Sequence, residues 1–391
     1  MKILNISSIL PLEGLKREND IVLRIQDYLK KEYNHEFVVA KALPFTPKIL
    51  GILSSKWEKY HKYIKTSIID LQGYQTLIYP WIMPPTSNLW LNYILIPFNI
   101  VLFQLQLKKR FLNLASNTEL ILAQNNIPDS IIAYLLAKKI KKPYILNARG
   151  DFNPIILKLP LLSKIYKNAS QIITHSPQNF KKLKNKINIE LIPHPIEPLF
   201  FNENRLHERQ PITFISVCRL LKLKHLDWVL DSLYSEKKKG RHFSYHIVGD
   251  GPELNFLKQK VVDLNLQNEV IFHGYLNHIK TKDLLIKSHV FIMPSHPETL
   301  GRAFLEAAAS NCLIVGYRNT GVDGLFEHNK SAIFIDKNSI NNEIQILFDK
   351  FSENYMQFFT KNSRQIVNNF TWEKIGKKYH HHFQHNKGKR K

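Results

Sequence analysis

The most informative segment of the sequence is VFIMPSHPETLGRAFLEAAAS, residues 290–310. Its first four residues are a short apolar run typical of a buried strand, and the Ala-rich stretch after Gly301 has the composition of a helix. The prolines between them predict a turn, which leaves the backbone amides of Thr299, Leu300 and Gly301 exposed at a helix N-terminus. Such amides bind anions, and a glycine lets a phosphate approach closely.

Two carboxylates belong to the same segment, Glu298 at the mouth of this anion site and Glu306 inside the predicted helix. At the standard helical rise, Glu306 lies roughly 12 Å further along. A second interpretation makes Glu298 a helix cap and Glu306 part of a solvated helix face. The segment alone does not decide between them.

A second cluster of charge follows the apolar run Ile212–Val217, in the sequence CRLLKLKH of residues 218–225. Arg219 and Lys224 are five positions apart at the end of this predicted strand. The arginine fork and the lysine point charge can clamp a diphosphate between them. In so basic a chain, the alternative is a pair of exposed surface cations.

Short apolar runs alternate with helical stretches on both sides of these clusters, which predicts parallel sheets covered by helices. The predicted strands are Lys2–Ser7, Glu36–Ala40, Thr76–Tyr79, Leu120–Ala123, Tyr144–Asn147, Gln171–Thr174, Glu190–Ile192, Ile212–Val217, Tyr245–Val248, Val270–Phe272, Val290–Met293, Leu313–Gly316 and Ala332–Ile335. Helical periodicity is clearest in Ile21–Leu29, Ser130–Lys139, Leu226–Leu233 and Pro252–Leu264.

The stretch FFNENRLHERQP, residues 200–211, is polar, lacks periodicity and separates the two sets of strands. We therefore place a domain boundary near residue 205 and predict an α/β chain of two doubly wound, Rossmann-like domains that face each other across a cleft. Sheets of this kind bind ligands at the carboxyl ends of their strands, so the cleft is the expected site. The predicted domains are residues 1–204 and 205–368, followed by a helix and basic tail at 369–391.

Five elements, in this order, closely resemble the retaining glycosyltransferases of the GT-B fold, in family 4 (glycosyl transferases group 1). They are RLLKLK (219–224), VGDGPE (248–253), VIFHGY (270–275), FIMPSHPETLGRAFLEA (291–307) and FTWEKIGKKYHHHF (370–383). The most specific part is the glutamate pair within PSxxExxGxxxxEA. The resemblance covers nearly all of residues 205–385. It implies a first domain that binds the acceptor, a second that binds a nucleotide sugar, and a last helix that crosses back to the first.

The resemblance also implies a role for each matching residue. Glu306 is expected to bind the ribose of the donor, and Glu298 to lie beside the transferred sugar. Arg219 and Lys224 are expected to neutralise the diphosphate, whose charge grows as it departs. Retention of anomeric configuration is expected, without a cofactor or a catalytic metal. The further donor-binding positions are Gly14, Gly249, Gly274, Tyr275, Thr299, Leu300 and Gly301.

Several positions depart from the family pattern. The triplet RGD (149–151) follows the predicted strand Tyr144–Asn147, where the family often has His-Gly. Arg149 cannot act as a base but can bind a phosphate or acceptor, and Asp151 can bind sugar hydroxyls. His225 stands where the family usually has a glycine. The alternative function is therefore a nucleotide-sugar-binding or scaffold protein with impaired catalysis.

The chain has 391 residues, and 55 Lys and Arg against 32 Asp and Glu give it a formal charge of +23. Its hydrophobic content of 44% excludes a disordered polycation. The charge indicates a polyanionic partner, which can be nucleic acid, anionic lipid or a phosphorylated substrate. Because no zinc-knuckle spacing, RNP motif or basic helix supports nucleic acid, we expect a glycan or lipid-linked acceptor instead.

The apolar stretch LWLNYILIPFNIVLFQLQL, residues 89–107, is followed by the basic run KKR (108–110). It is long enough to span a membrane, but Asn92, Asn99 and Gln106 form a polar stripe that favours a core-packed or interfacial helix. The two cysteines form no CxxC pair, which favours a reducing compartment. We expect a cytoplasmic protein with peripheral contact to the anionic inner face of the cytoplasmic membrane.

Overall fold

The computed structural model describes residues 1–10, 21–45, 68–71, 73–82, 94–150, 157–201 and 211–387. The chain divides into two compact units. The first unit consists of Met1–Thr174, Lys182–Ile192 and Gly376–Lys391, and the second of His175–Lys181 and Pro193–Ile375. The domain boundary predicted near residue 205 lies outside the described residues.

An eight-stranded sheet forms the centre of the first unit, in the order β3-β4-β2-β1-β5-β6-β7-β8. All neighbours are parallel except β3 and β4, which pair antiparallel. The central strands are mostly apolar and nearly all their side chains are buried, as expected for a parallel sheet covered on both faces. The strands are β1 (Lys2–Ile6), β2 (Glu36–Phe45), β3 (Ile68–Leu71), β4 (Tyr74–Ile82), β5 (Leu120–Ala123), β6 (Tyr144–Ala148), β7 (Gln171–Thr174) and β8 (Ile189–Leu191).

A six-stranded parallel sheet forms the centre of the second unit, in the order β11-β10-β9-β12-β13-β14. The chain runs outward from β9 to β11 and then returns to place β12 beside β9. The strand order therefore reverses between β9 and β12. The strands are β9 (Ile212–Val217), β10 (Phe243–Val248), β11 (Val270–Gly274), β12 (Val290–Met293), β13 (Leu313–Tyr317) and β14 (Ile333–Ile335).

Helices connect most of the parallel strands and bury one apolar face against the sheets. A π-helical turn, Phe103–Leu107, joins the helices Ile96–Leu102 and Lys108–Ala115 into one continuous helix. The helices are α1 (Ile21–Tyr33), α2 (Ile96–Leu102), α3 (Lys108–Ala115), α4 (Asp129–Ile140), α5 (Pro160–Asn168), α6 (Pro177–Leu183), α7 (Leu226–Lys238), α8 (Leu254–Asp263), α9 (His278–Lys287), α10 (Arg302–Ala309), α11 (Ile340–Lys350), α12 (Glu353–Val367) and α13 (Trp372–Asn386).

The last helix, α13, begins in the second unit and belongs to the first from Gly376 onward. Tyr379 and Phe383 are buried there. Gly376 is required by close packing, since a Cβ at this position would lie 2.3 Å from the ring of Tyr28. The predicted return of the final helix to the first domain is therefore confirmed, together with the two Rossmann-like α/β domains.

The segment predicted as a helix from residue 89 to 107 is helical where it is described, from Ile96 onward. Residues 89–93 lie outside the described residues. Asn99 is buried, and its side chain accepts a hydrogen bond from the Ile82 amide (2.8 Å) and donates one to the Ile82 carbonyl (2.9 Å). The helix thus packs on the end of β4. In the described ranges, no helix has both the length and the apolar character needed to cross a membrane.

Candidate active site

The six parallel strands of the second sheet end at the same edge, and the predicted donor-site motifs follow four of them. Arg219 and Lys224 follow β9, and Glu298 follows β12, so these three side chains flank the point where the strand order reverses. That point is where open α/β sheets bind ligands. Gly249 follows β10, and Gly274 closes β11. The sequence motifs are therefore gathered at one end of one sheet.

An ion pair lies at the centre of this edge. Lys224 Nζ lies 2.6 Å from Glu298 Oε2, and both side chains are only about 15% exposed (14% and 15%). Ser295 Oγ lies 3.1 Å from each of the two charged atoms. The pair is therefore a small, partly buried network at the mouth of β12, and Lys224 is not the free surface cation of the alternative interpretation.

The turn that carries Glu298 is fixed by hydrogen bonds to the loop after β13. The Glu298 amide donates to Thr320 Oγ1 (2.8 Å), and the Thr320 hydroxyl donates to the Glu298 carbonyl (2.7 Å). The Gly321 amide donates to the same carbonyl (2.8 Å). Gly321 also makes room for the Glu298 side chain, since a Cβ there would approach Glu298 Cγ to 3.2 Å. The loop after β13 thus holds both the amide and the carbonyl of Glu298.

The helix after this turn, α10, begins at Arg302, and its N-cap residue Gly301 adopts the left-handed conformation with φ 73°. A Cβ at Gly301 would lie 2.6 Å from the Phe304 ring, so both conformation and space require glycine. The helix cap is therefore Gly301 and not Glu298. Glu306 is also not on a solvated face, because its side chain is only 13% exposed and lies 3.8 Å from Arg302. The second interpretation, with Glu298 as a helix cap and Glu306 on a solvated helix face, is therefore wrong.

The turn after β9 ends in a left-handed residue. Lys222–Lys224 form a short 3₁₀ turn, and His225 follows with φ 50°. This conformation is costly for a side chain other than glycine, which gives a physical reason for the glycine expected at this position. The His225 ring stacks on Trp228 with centroids 3.9 Å apart, and burial lowers its pKa. Arg219 is exposed at the start of the turn.

Close backbone packing explains the glycine that follows β10. Gly249 has φ 134°, and a Cβ on it would lie 1.8 Å from the Cys218 carbonyl oxygen. Its amide donates to the Gly274 carbonyl (2.7 Å), which joins the ends of β10 and β11. Tyr275, the next residue, is 82% exposed. Cys218 packs against the core of the second unit. Burial raises the pKa of its thiol to about 12.

In the first unit, Arg149 lies at the carboxyl end of β6 and is largely enclosed. Its Nη2 lies 3.2 Å from Gln124 Oε1, and its carbonyl accepts from Asn126 (2.8 Å). Its Nε is buried without a hydrogen-bond partner among the described residues. Nearby, burial raises the pKa of Asp129 to about 7 although Ser8 donates to its carboxylate. Asp151 and Gly14 lie outside the described residues.

Three residues that contact the ion pair or its turn were not predicted: Ser295, Thr320 and Gly321. Ser295 stands three positions before Glu298, inside the quoted motif. Thr320 and Gly321 follow β13, so the rule that ligands gather at the carboxyl ends of parallel strands would have found them. Within the described part of the chain, no group of three or more His, Cys, Asp or Glu side chains is arranged to hold a metal ion.

Residues 199–368 match the family profile described as "Glycosyl transferases group 1". Over 135 residues the chain is 27% identical to 2-deoxystreptamine N-acetyl-D-glucosaminyltransferase of Niallia circulans, covering 34% of this chain and 31% of that protein. Over 146 residues it is 31% identical to the amylovoran biosynthesis glycosyltransferase AmsK of Erwinia amylovora, covering 35% of each. The aligned segments thus span about a third of the length of these curated relatives.

The structural similarity extends further along the chain. Anabaena HepE in complex with UDP and glucose matches with a TM-score of 0.65 at 16% identity, over 98% of this chain and 99% of that one. The chain therefore has the fold of GT-B glycosyltransferases. The segment that carries the ion pair lies within the part of the chain that matches the glycosyl transferases group 1 profile, residues 199–368.

Proposed function

We propose that the protein is a retaining glycosyltransferase that moves a sugar from a nucleotide-sugar donor to a glycan or lipid-linked acceptor, in the synthesis of a cell-surface polysaccharide or lipopolysaccharide. The observation that carries the proposal is the Lys224–Glu298 pair at the reversal point of the second sheet, with Glu306 on the helix that follows. The polysaccharide role is supported by the similarity to an amylovoran biosynthesis enzyme.

The departing nucleoside diphosphate needs positive groups that are already in place, because its charge increases in the transition state. Lys224 is held by Glu298 and Ser295 in a partly buried position, and Arg219 is exposed one turn earlier. The amides of Thr299, Leu300 and Gly301 precede α10, where the helix dipole favours a phosphate. In this proposal these groups neutralise the diphosphate without a metal ion.

We assign the remaining donor contacts, which the family resemblance implies, to the same edge of the sheet. Glu306 binds the ribose hydroxyls, and the backbone near Gly274 and Tyr275 faces the base. The bond between the anomeric carbon and the diphosphate breaks as the acceptor oxygen bonds to that carbon on the same face. A phosphate oxygen of the leaving group takes the acceptor proton. Glu298 lies beside the sugar and orients Lys224 towards the phosphate.

On the acceptor side, Arg149 and Asp151 are the residues we assign to an acceptor phosphate or its sugar hydroxyls. The unpartnered Nε of Arg149 supports this assignment among the described residues, since a buried guanidinium donor is costly when unpaired. Cys218 and Cys312 both carry reduced thiols, which supports a reducing, cytoplasmic location.

The experiment is a thermal-shift screen with UDP, GDP and their sugars, followed by a transfer assay with the stabilising donor. Glu306→Ala should abolish stabilisation by the nucleotide sugar and lower turnover at least about a hundredfold. Glu353→Ala, an exposed glutamate at the start of α12, is the matched control. Normal turnover by Glu306→Ala would refute the proposed donor site. Donor binding without turnover on any acceptor would instead favour the catalytically impaired binding protein.

A further inference from the structure

Four large apolar side chains lie exposed along one face of the helix around α2. They are Ile94 (70% exposed), Phe98 (53%), Val101 (52%) and Leu105 (78%), and we call them the apolar stripe. Their spacings of four, three and four residues place them on one side of a helix. Over this distance the stripe is about 16 Å long at the standard helical rise.

The opposite face of the same helix is buried in the core of the first unit. Ile96, Asn99 and Phe103 are buried, and the Phe103 ring lies 5.2 Å from that of Phe111. A surface helix ordinarily carries polar side chains on its outer face, whereas this one is apolar on both. The stripe holds four of the six exposed large hydrophobic side chains in the described part of the first unit. This concentration is what marks it as a binding surface.

Positive charge adjoins the stripe at one end. Lys109 is exposed one helical turn beyond Leu105, and its sequence neighbours Lys108 and Arg110 are also basic. No acidic residue occurs between Asp70 and Glu119 along the sequence. An apolar face next to a basic cluster is the combination that binds the interface of an anionic bilayer.

We propose that the apolar stripe inserts into the interfacial region of an anionic phospholipid bilayer, with the helix lying in the plane of the membrane. The positive charge at Lys109 complements an anionic bilayer and favours it over a second copy of the chain as the partner of the stripe. A second copy would bring the same positive cluster to the contact. The helix lies on the bilayer and does not cross it, because its inner face is buried in the protein. This proposal is independent of sugar transfer.

The test is flotation of the full-length protein with vesicles of phosphatidylcholine alone or of an equimolar mixture with phosphatidylglycerol. The wild type should bind the mixed vesicles, and salt should weaken the binding. The double variant Phe98→Glu/Leu105→Glu should lower the partition coefficient about tenfold or more, because it removes apolar burial and adds repulsion. Lys109→Glu should weaken binding to the mixed vesicles only.

The matched control is Phe256→Glu/Val262→Glu, two half-exposed apolar positions on α8 of the second unit, which should bind vesicles like the wild type. Thermal unfolding and calorimetric binding of the nucleotide confirm that each variant is folded, and they report on the donor site separately. Vesicle binding unchanged by Phe98→Glu/Leu105→Glu would overturn the proposal. A wild-type dimer that this double variant dissociates, without vesicle binding by the wild type, would identify a second copy as the occupant instead.

Discussion

Lys224 and Glu298 are 74 positions apart in the chain, yet Nζ and Oε2 are 2.6 Å apart at the point where the strand order of the second sheet reverses. Each charge satisfies the other before any ligand arrives. A partly buried charge is costly without its partner, so the pair is retained as a unit. Removing one member should therefore affect stability and ligand binding in different ways.

Lys224→Ala should lower the free energy of unfolding by about 1–3 kcal/mol, because it leaves the Glu298 carboxylate partly buried without a cation. It should also weaken nucleoside diphosphate binding about tenfold or more, since a charge-assisted contact is lost. Urea denaturation and calorimetry measure the two effects. Lys222→Ala, an exposed lysine in the same turn, should change neither. If Lys224→Ala/Glu298→Gln is as unstable as Lys224→Ala alone, the assigned cause is wrong.

Glu298→Gln separates binding from turnover. It should lower kcat about a hundredfold, as expected for an electrostatic group that acts at the reacting centre. Nucleoside diphosphate affinity should stay the same or increase, because Lys224 no longer shares its charge with the carboxylate. Steady-state kinetics and calorimetry on the same preparation test this, with Asp283→Asn on α9 as control. A parallel loss of affinity and kcat would mean that Glu298 only maintains the loop.

Gly249→Ala should destabilise the second unit by about 3 kcal/mol or more, because its Cβ would collide with the Cys218 carbonyl and no side chain can move aside. Gly240 also has a positive φ, 82°, but nothing lies within 4 Å of a Cβ there. Gly240→Ala should thus cost only about 1 kcal/mol. Equal losses in urea denaturation would show that conformation, and not the contact, sets the cost.

Acid should destabilise the first unit through His35. Burial, the N-terminal amine of Met1 and His380 lower the pKa of His35 from 6.5 to about 4, although Glu119 acts in the opposite sense. The unfolded chain therefore binds a proton first, so stability present above pH 6.5 is lost as the pH falls towards 4. Thermal unfolding across this range should depend less on pH in His35→Gln. His381→Gln, an exposed neighbour on α13, should keep the wild-type dependence.

The interior of the fold could be predicted from the sequence because parallel strands buried on both faces are short, mostly apolar runs. Leu120–Ala123, Ile212–Val217 and Val290–Met293 begin and end where predicted. Ile68–Leu71 was missed because it is short, lies at the sheet edge and pairs antiparallel, with Asp70 in its middle. Such a strand buries too few side chains to produce a recognisable hydrophobic pattern in the sequence.

The sequence identified residues of the candidate site but did not predict the contacts among them. The strand ends that precede the two motifs placed Glu298 and Lys224 at one edge of a sheet, and the family resemblance assigned them to different parts of a donor. Their direct pairing depends on β9 and β12 becoming neighbours, a long-range property that local spacing does not contain. The left-handed conformation of His225 was also not predicted. A glycine in a sequence indicates that a positive φ is possible, whereas a histidine does not.

The amide of Asn99 suggested at first only that its helix would be unsuited to crossing a membrane. Its two hydrogen bonds to Ile82 have a second effect, which concerns rotation about the helix axis. A helix that is apolar on both sides can turn by half a revolution at little hydrophobic cost, and would then bury the wrong face. The amide at Asn99 removes that freedom, since turning would break both hydrogen bonds and take their partner away from the N–H and C=O groups of Ile82. One polar side chain thereby determines which apolar surface the protein presents.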